Sequence, residues 1–242
     1  MRTPQKTIAL LRFACDRPLS ESVAWLRMRL CNAYVPVLPQ GARVELHSAT
    51  LPDPWTGQLR AAAKSEAPKA AGYDAIVDTW SDADPEGTVI TLQNALDEPS
   101  LTLHVYAVAE RVCKPGRSEP QPEDADLIAA WTGAPGVAPA ELDRHWREHI
   151  PLALEIHHGS IRYVQNRVER PLTRDAPPFA GIALLRFPAL SAIATGLFRS
   201  AADVQTITDD VAEFIASTQV MYAAPEGLTA SDIRQSALAG TA

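Results

Sequence analysis

The sequence predicts a mixed α+β protein made of two successive βαββαβ units whose sheets pack face to face. Three observations carry this. Strand-like and helix-like apolar patterns occur in the same order twice along the chain. A polar, proline-rich stretch, Lys114 to Asp124 (KPGRSEPQPED), separates the two passes. The apolar stripe of one helix, Leu19, Val23, Leu26 and Leu30, has the spacing of a later one, Leu142, Trp146, His149 and Ala153.

The first pass opens with a strand over Lys6 to Ala14, where Ile8, Leu10 and Leu11 are apolar. Leu19 to Asn32 reads as a helix that Asp16 or Ser20 could cap. Ala42 to Thr50 alternates, with Val44 and Leu46 against Arg43, Glu45 and His47, as a half-buried strand does. A connection rich in Pro and Ala runs from Leu51 to Gly72, with a short helix around Gln58 to Lys64. Tyr73 to Trp80 is a strand, Pro85 to Leu96 a helix with proline in its first turn, and Leu101 to Val112 an alternating strand.

After the linker the order restarts. Asp126 to Trp131 is a strand, Pro139 to His157 a helix stopped at Gly159, and Ser160 to Val168 a strand. A proline-containing loop over Glu169 to Phe179 leads to a strand at Ala180 to Phe187. Leu190 to Ile215 is helical in one or two pieces, and Thr218 to Tyr222 is the last strand. Beyond Pro225 a peripheral tail is expected, with a helical turn near Ala230 to Leu238. The implied organisation is a domain over 1–113, a linker over 114–124, a second domain over 125–225 and a tail over 226–242. A βαββαβ sheet has one face bare of helices. Two such sheets in one chain can close bare face to bare face into a barrel-like core that protects their edges.

Composition narrows the function. The net charge of −7 argues against a nucleic-acid surface, which needs a basic stripe. No apolar run approaches membrane-spanning length, and Arg12 interrupts the apolar stretch near the start, so neither a membrane span nor a signal peptide is expected. Cys15, Cys31 and Cys113 are few, distant and odd in number, as suits reduced thiols in the cytoplasm. No phosphate-binding glycine loop, dinucleotide fingerprint or GxSxG elbow is present.

The most informative stretch is Ala140 to Arg170. On a helical wheel Leu142, Trp146, His149, Ala153 and Ile156 share one stripe, and Asp143, Arg144, Arg147, Glu148 and Glu155 lie opposite. His149 therefore sits in the middle of the buried face, two residues before Pro151, which removes a helix hydrogen bond and bends the helix. The matching position in the first pass is a leucine, Leu26. An imidazole in an apolar setting is a proton acceptor near neutral pH; the plainer alternative is a core histidine bonded to backbone. Strand alternation puts Tyr163 and Asn166 on opposite faces, so only one can face His149, and Tyr163 is the expected one. His157 and His158 suit a helix C-terminus. His145, Glu148 and His149 spell H-x-x-E-H, a zinc pattern, but Glu148 points away from both imidazoles and no metal is expected. Glu45, His47, His104 and Tyr106 either line the sheet–sheet interface or face solvent.

HWREHIPLA, IRYVQNRV, PPFAGIALLRF and AEFI, spread over Leu127 to Tyr222, resemble the EthD family of the dimeric α/β-barrel superfamily. The first half resembles it in pattern only. In the family's usual helix motif Trp stands four residues before His, and here Trp146 precedes His149 by three. The resemblance implies tandem ferredoxin-like units forming a pseudo-dimer, with a pocket between helix and sheet. It implies His149 and Tyr163 as catalytic residues and Trp146, Asn166 and His145 as substrate-binding ones. The expected function is a cofactor-independent lyase, dehydratase, cyclase or isomerase acting on a small hydrophobic aromatic or cyclic carbonyl compound, with a homodimer possible. The alternatives are an accessory ligand-binding protein of a catabolic pathway, or a cofactor-free or haem monooxygenase.

Overall fold

The computed structural model describes residues 4–14, 17–54, 72–117 and 119–228. Cys15, Asp16, the helix expected at Gln58 to Lys64 and the turn expected at Ala230 to Leu238 lie outside the described residues. Eight strands form the wall: β1 (Gln5–Phe13), β2 (Arg43–Ser48), β3 (Ala75–Ser81), β4 (Leu101–Lys114), β5 (Ala125–Gly133), β6 (Arg162–Pro171), β7 (Gly181–Phe187) and β8 (Ile215–Leu228). The helices are α1 (Leu19–Arg29), α2 (Pro85–Leu96), α3 (Pro139–Glu148), α4 (Ile150–Ile156), α5 (Leu190–Gly196) and α6 (Ala201–Ala212).

The strands close into one barrel in the order β1-β3-β2-β8-β5-β7-β6-β4, with every pairing antiparallel. Within each half the order is the same, fourth-first-third-second. The halves meet at two seams. At one, Val44 to Ser48 pair with Leu228 to Ala224. At the other, β4 pairs with β6 from Tyr106↔Pro171 to Lys114↔Tyr163, with two register shifts. Closure leaves no open strand edge.

Because helices cover the outside and the interior is filled, the strands are buried on both faces, and several read as continuous apolar runs. Ile8, Leu10, Ile76, Tyr106, Val108, Ile128, Val164, Leu184 and Met221, drawn from seven strands, pack inside the barrel. Their odd–even partners face outward. Leu11, Val44, Leu46, Val77 and Val105 pack under α1 and α2 with Leu26, Leu30, Leu92 and Leu96. Leu127, Trp131, Tyr163, Leu185 and Phe187 pack under the second-half helices with Leu142, Trp146 and Ile193.

Several elements differ from the sequence-based expectation. Ser20 lies inside α1 and does not cap it; the N-cap position is Pro18, with no side-chain bond among the described residues. The chain beyond α1 passes through a π turn (Leu30–Tyr34) and a 3-10 turn (Val35–Val37). The Pro139 to His157 helix is two helices, broken at His149 one residue before Ile150–Pro151 begins α4. β8 does not stop at Tyr222 but runs to Leu228, because β2 needs a partner to close the barrel.

Gly159 is a contact glycine. A Cβ there would lie 2.6 Å from the Cα of Gly196, and Gly159 N donates to Gly196 O at 2.9 Å. This contact fixes the end of α4 against the end of α5. Gly159→Ala or Gly196→Ala must push backbone from backbone, so each is expected to cost about 1–3 kcal/mol in urea unfolding. An alanine at Gly136, where a Cβ meets nothing within 4 Å, serves as the control for backbone strain without crowding, since its φ is +82°.

Candidate functional site

His149 sits at the joint of α3 and α4. The helical path survives the break: His149 N donates to His145 O at 2.9 Å, and Ala153 N donates to His149 O at 3.0 Å. Pro151 brings no N–H to the turn, which lets the chain bend there. The His149 side chain is 8% exposed, and its Nδ1 lies 2.5 Å from Oδ2 of Asp210 on α6. Asp210 is partly solvated, while the imidazole it holds is nearly enclosed. Nε2 of His149 makes no hydrogen bond among the described residues. A carboxylate on Nδ1 fixes the tautomer with its proton there, leaving Nε2 as the acceptor.

Behind the dyad stands an aromatic wall. Trp131 on β5 meets Trp146 of α3 edge-on at 4.9 Å and Phe214 at 5.6 Å. Phe214 also meets the His149 ring at 5.9 Å and stacks on His145 at 6.2 Å. Gly181 on β7 makes the wall possible, since a Cβ there would lie 2.6 Å from Trp146 and 2.7 Å from Trp131.

The expected site residues divide into three groups. His149 and Trp146 share this wall, and His145 reaches it from the solvent side through Phe214. His145 Nε2 accepts from Arg144 at 3.0 Å, and Glu148 is exposed and paired with Arg144. The H-x-x-E-H residues are thus spent on other partners and do not converge. Tyr163 lies on the same outer face of the sheet, but its hydroxyl accepts from Gln165 Nε2 at 2.9 Å, and Gln165 also donates to Trp146 O and accepts from Arg111. Burial raises the Tyr163 pKa well above the usual phenol value, and no hydrogen bond joins it to His149. Asn166 faces the barrel interior, where it accepts from Lys6 Nζ at 2.9 Å and donates to Ile182 O. The structure does not bring it to His149.

His157, expected to cap the helix, donates from Nδ1 to Leu197 O at 2.9 Å, with its ring against Phe198. Burial lowers its pKa to about 4, only partly offset by the Leu197 carbonyl. A haem does not fit between these helices and the sheet. Trp131, Trp146, Phe187, Ile193 and Phe214 fill that space, all buried.

The second polar cluster was not assembled from sequence. Glu45 and His47, left open between interface and solvent, point into the barrel and meet Lys6, Asp78, Asp126 and Arg186, all at most 4% exposed. Glu45, His47 and Asp126 offer ligand atoms within 4.8 Å of one another. Arg186 already occupies their centre: its Nη2 donates to Asp126 Oδ2 at 2.8 Å and to Glu45, and its Nε donates to Asp126 Oδ1 at 2.8 Å. The guanidinium fills the place a metal ion would take. His104 and Tyr106 are also interior, at the other end. There His104 bonds Tyr73 at 2.7 Å near a small apolar cavity lined by Leu10, Ile76, Ile128 and Met221. That cavity is on the far side of the sheet from His149.

The chain is thus an α/β barrel, eight antiparallel strands closed on themselves with helices outside, and it carries a carboxylate–histidine pair between helix and sheet. Residues 134–218, which hold α3 to α6 and both members of the pair, match the family model of the EthD domain. Sequence comparison with curated proteins finds no match. Solved structures similar in fold include a monooxygenase candidate of Lactobacillus acidophilus NCFM, at 8% identity and TM-score 0.54 over 95% of this chain and 97% of that one. A monooxygenase candidate of Fusobacterium nucleatum subsp. nucleatum is 11% identical, TM-score 0.56, over 95% and 94%. An anthrone oxidase-like protein is 13% identical, TM-score 0.57, over 93% of each chain. No helix of the described residues is long and apolar enough to cross a membrane.

The buried His157 gives the site an acid limit. Its folded pKa of about 4 lies below the unfolded value of 6.5, so above 6.5 the two states bind protons alike. Below 6.5 the unfolded chain takes up a proton that the folded one refuses, and stability falls with pH. Urea titrations between pH 6.5 and 4.5 are expected to show this loss, and His157→Gln to flatten it in part. The remainder belongs to His104, whose pKa burial also lowers, and toward pH 4.5 to Asp78 and Asp126, whose ion pairs outweigh burial and hold their carboxyls low.

Proposed function

We propose that the chain is a cofactor-independent acid/base enzyme, a lyase or isomerase, acting on a small hydrophobic cyclic or aromatic carbonyl compound. The observation that carries this is the His149–Asp210 pair: Nδ1 held by a carboxylate at 2.5 Å, Nε2 without a partner, and an apolar aromatic wall beside it. His149 Nε2 removes a proton from the carbon next to the carbonyl. The C–H electron pair moves into an enolate, and Asp210 stabilises the imidazolium that forms. The imidazolium then returns the proton, to another carbon in an isomerisation or to a departing hydroxyl in a dehydration. Trp146, Trp131 and Phe214 are buried behind His149 and keep its surroundings apolar, so a substrate ring meets them only once the helices part. Tyr163, tied to Gln165, supports the wall rather than relaying a proton, and His145 lines the rim. The narrow exposure of His149 makes α6, joined to α5 by the short Leu197–Ser200 link, the element that gives way to admit substrate.

A second reading is favoured by the fold relatives, two of them described as monooxygenase candidates and one as anthrone oxidase-like. The same enolate, meeting dioxygen, would convert a CH₂ to C=O with release of water, again without a cofactor. The equal strand order of the two halves supports an internal duplication of ferredoxin-like units, the second carrying the site. The free thiol of Cys113 supports a reducing, cytoplasmic setting.

The test is solvent exchange. Cyclic ketones and anthrone-type compounds are incubated with the protein in D₂O, and loss of the α-proton signal is followed by NMR with dissolved oxygen monitored. Exchange or turnover that His149→Ala lowers about a hundred- to ten-thousand-fold is expected, with a smaller loss in Asp210→Asn. Oxygen uptake in step with turnover would select the oxygenase reading. Full activity in His149→Ala would remove the role given to His149.

A further inference from the structure

The barrel interior holds a charged layer unconnected to His149. Lys6 on β1 bonds Asp78 Oδ2 on β3 at 2.7 Å, Glu110 on β4 at 2.9 Å and Asn166 on β6 at 2.9 Å. Arg186 on β7 grips Asp126 on β5 and Glu45 on β2. His47 on β2 stands among all three enclosed carboxylates. Its Nδ1 is 2.9 Å from Asp126, and its Nε2 is 3.8 Å from Asp78 and 4.0 Å from Glu45. His47, Asp126 and Arg186 are fully buried. Glu45, Asp78 and Asp126 are three enclosed negative charges, and Lys6 and Arg186 are two positive ones. Glu110, at the rim with 21% of its side chain exposed, is solvated. Arg162, across from Arg186 on β6, and Asp124 are also buried and of opposite charge, so the balance stays one positive charge short, and an unbalanced charge in such a place is strongly unfavourable.

We propose that His47 carries that missing charge as an imidazolium at neutral pH, and that this single proton is a pH-sensitive lock on the closure of the barrel. The lock spans the seam, because His47 and Glu45 belong to the first half and Asp126 and Arg186 to the second. Nε2 has no hydrogen-bond acceptor within reach, yet it lies between two carboxylates, which suits an N–H⁺ better than a lone pair. The groups facing His47 act in one direction. Burial pushes its pKa down, but Asp126, Asp78 and Glu45 outweigh burial and raise it to about 9. Lys6 and Arg186 are committed to those same carboxylates.

The proton contributes stability in full below the unfolded pKa of 6.5, and the contribution is lost as pH rises through about 9. Between pH 7 and 8, below most of the cysteine titration, unfolding releases the greater part of one proton, with His157 and His104 pulling weakly the other way. The unfolding constant of the wild-type protein should therefore rise several-fold per pH unit. In ¹⁵N NMR at pH 7.5, His47 should show the two equivalent shifts of an imidazolium. His47→Gln should abolish the slope and unfold more readily at pH 7. Adding Asp78→Asn to it should recover part of the loss, by removing the unbalanced charge, although Asp78→Asn alone destabilises. Asp78 suits this test because Lys6 keeps Glu110 and Asn166. A neutral-tautomer spectrum at pH 7.5, or a flat wild-type slope, overturns the proposal without any variant. So does an Asp78→Asn substitution that fails to rescue a folded His47→Gln.

Discussion

The fit of Arg186, Asp126, Glu45, His47, Asp78 and Lys6 inside one closed barrel is the constraint on which the rest of the molecule rests. These side chains come from five strands and both halves of the chain, and none can reach water. A charge taken out of water needs a partner in good geometry. The barrel must therefore close in one register, since a slip of one residue would turn each of these groups onto the apolar outer face. The apolar packing of Ile8, Leu10, Ile128, Val164 and Leu184 supplies the driving force, and the ionic layer supplies the specificity.

The same closure explains why the candidate site lies outside the barrel. With the interior filled by side chains, the space left for chemistry is between the sheet and the second-half helices. There the chain departs from regularity in three linked places. Pro151 breaks the helix at His149. Gly181 makes room for Trp131 and Trp146. Gly159 and Gly196 bring α4 and α5 into backbone contact, which sets where α6 can carry Asp210. The first half has Leu26 where the second has His149, and Leu26 is fully buried in an apolar core. One scaffold thus serves as packing in one half and as a site in the other.

Much of the site was legible from periodicity. The wheel that placed Leu142, Trp146, His149 and Ala153 on one stripe matches their burial. The alternation that set Tyr163 and Asn166 on opposite faces matches their positions. What periodicity cannot give is the partner across space. Nothing in the sequence tied Asp210 to His149, because sixty-one residues separate them and Asp210 is one of several acids near the end of α6. Gln165, which claims the Tyr163 hydroxyl, was visible on the right face, but a hydrogen bond between neighbours on one strand has no spacing signature of its own.

The sequence alone determined the element order, the two passes of it, and which face of each element is apolar. These are local properties: the spacing of apolar residues, proline at a helix start, a proline-rich break between passes. The tertiary structure decided what local patterns leave open. It extended β8 to Leu228 because β2 required a partner, and it turned Glu45 and His47 inward although a polar residue on an alternating strand ordinarily faces water. In an open sheet that alternation would mean solvent. In a closed barrel the same face is the interior, and only closure distinguishes the two.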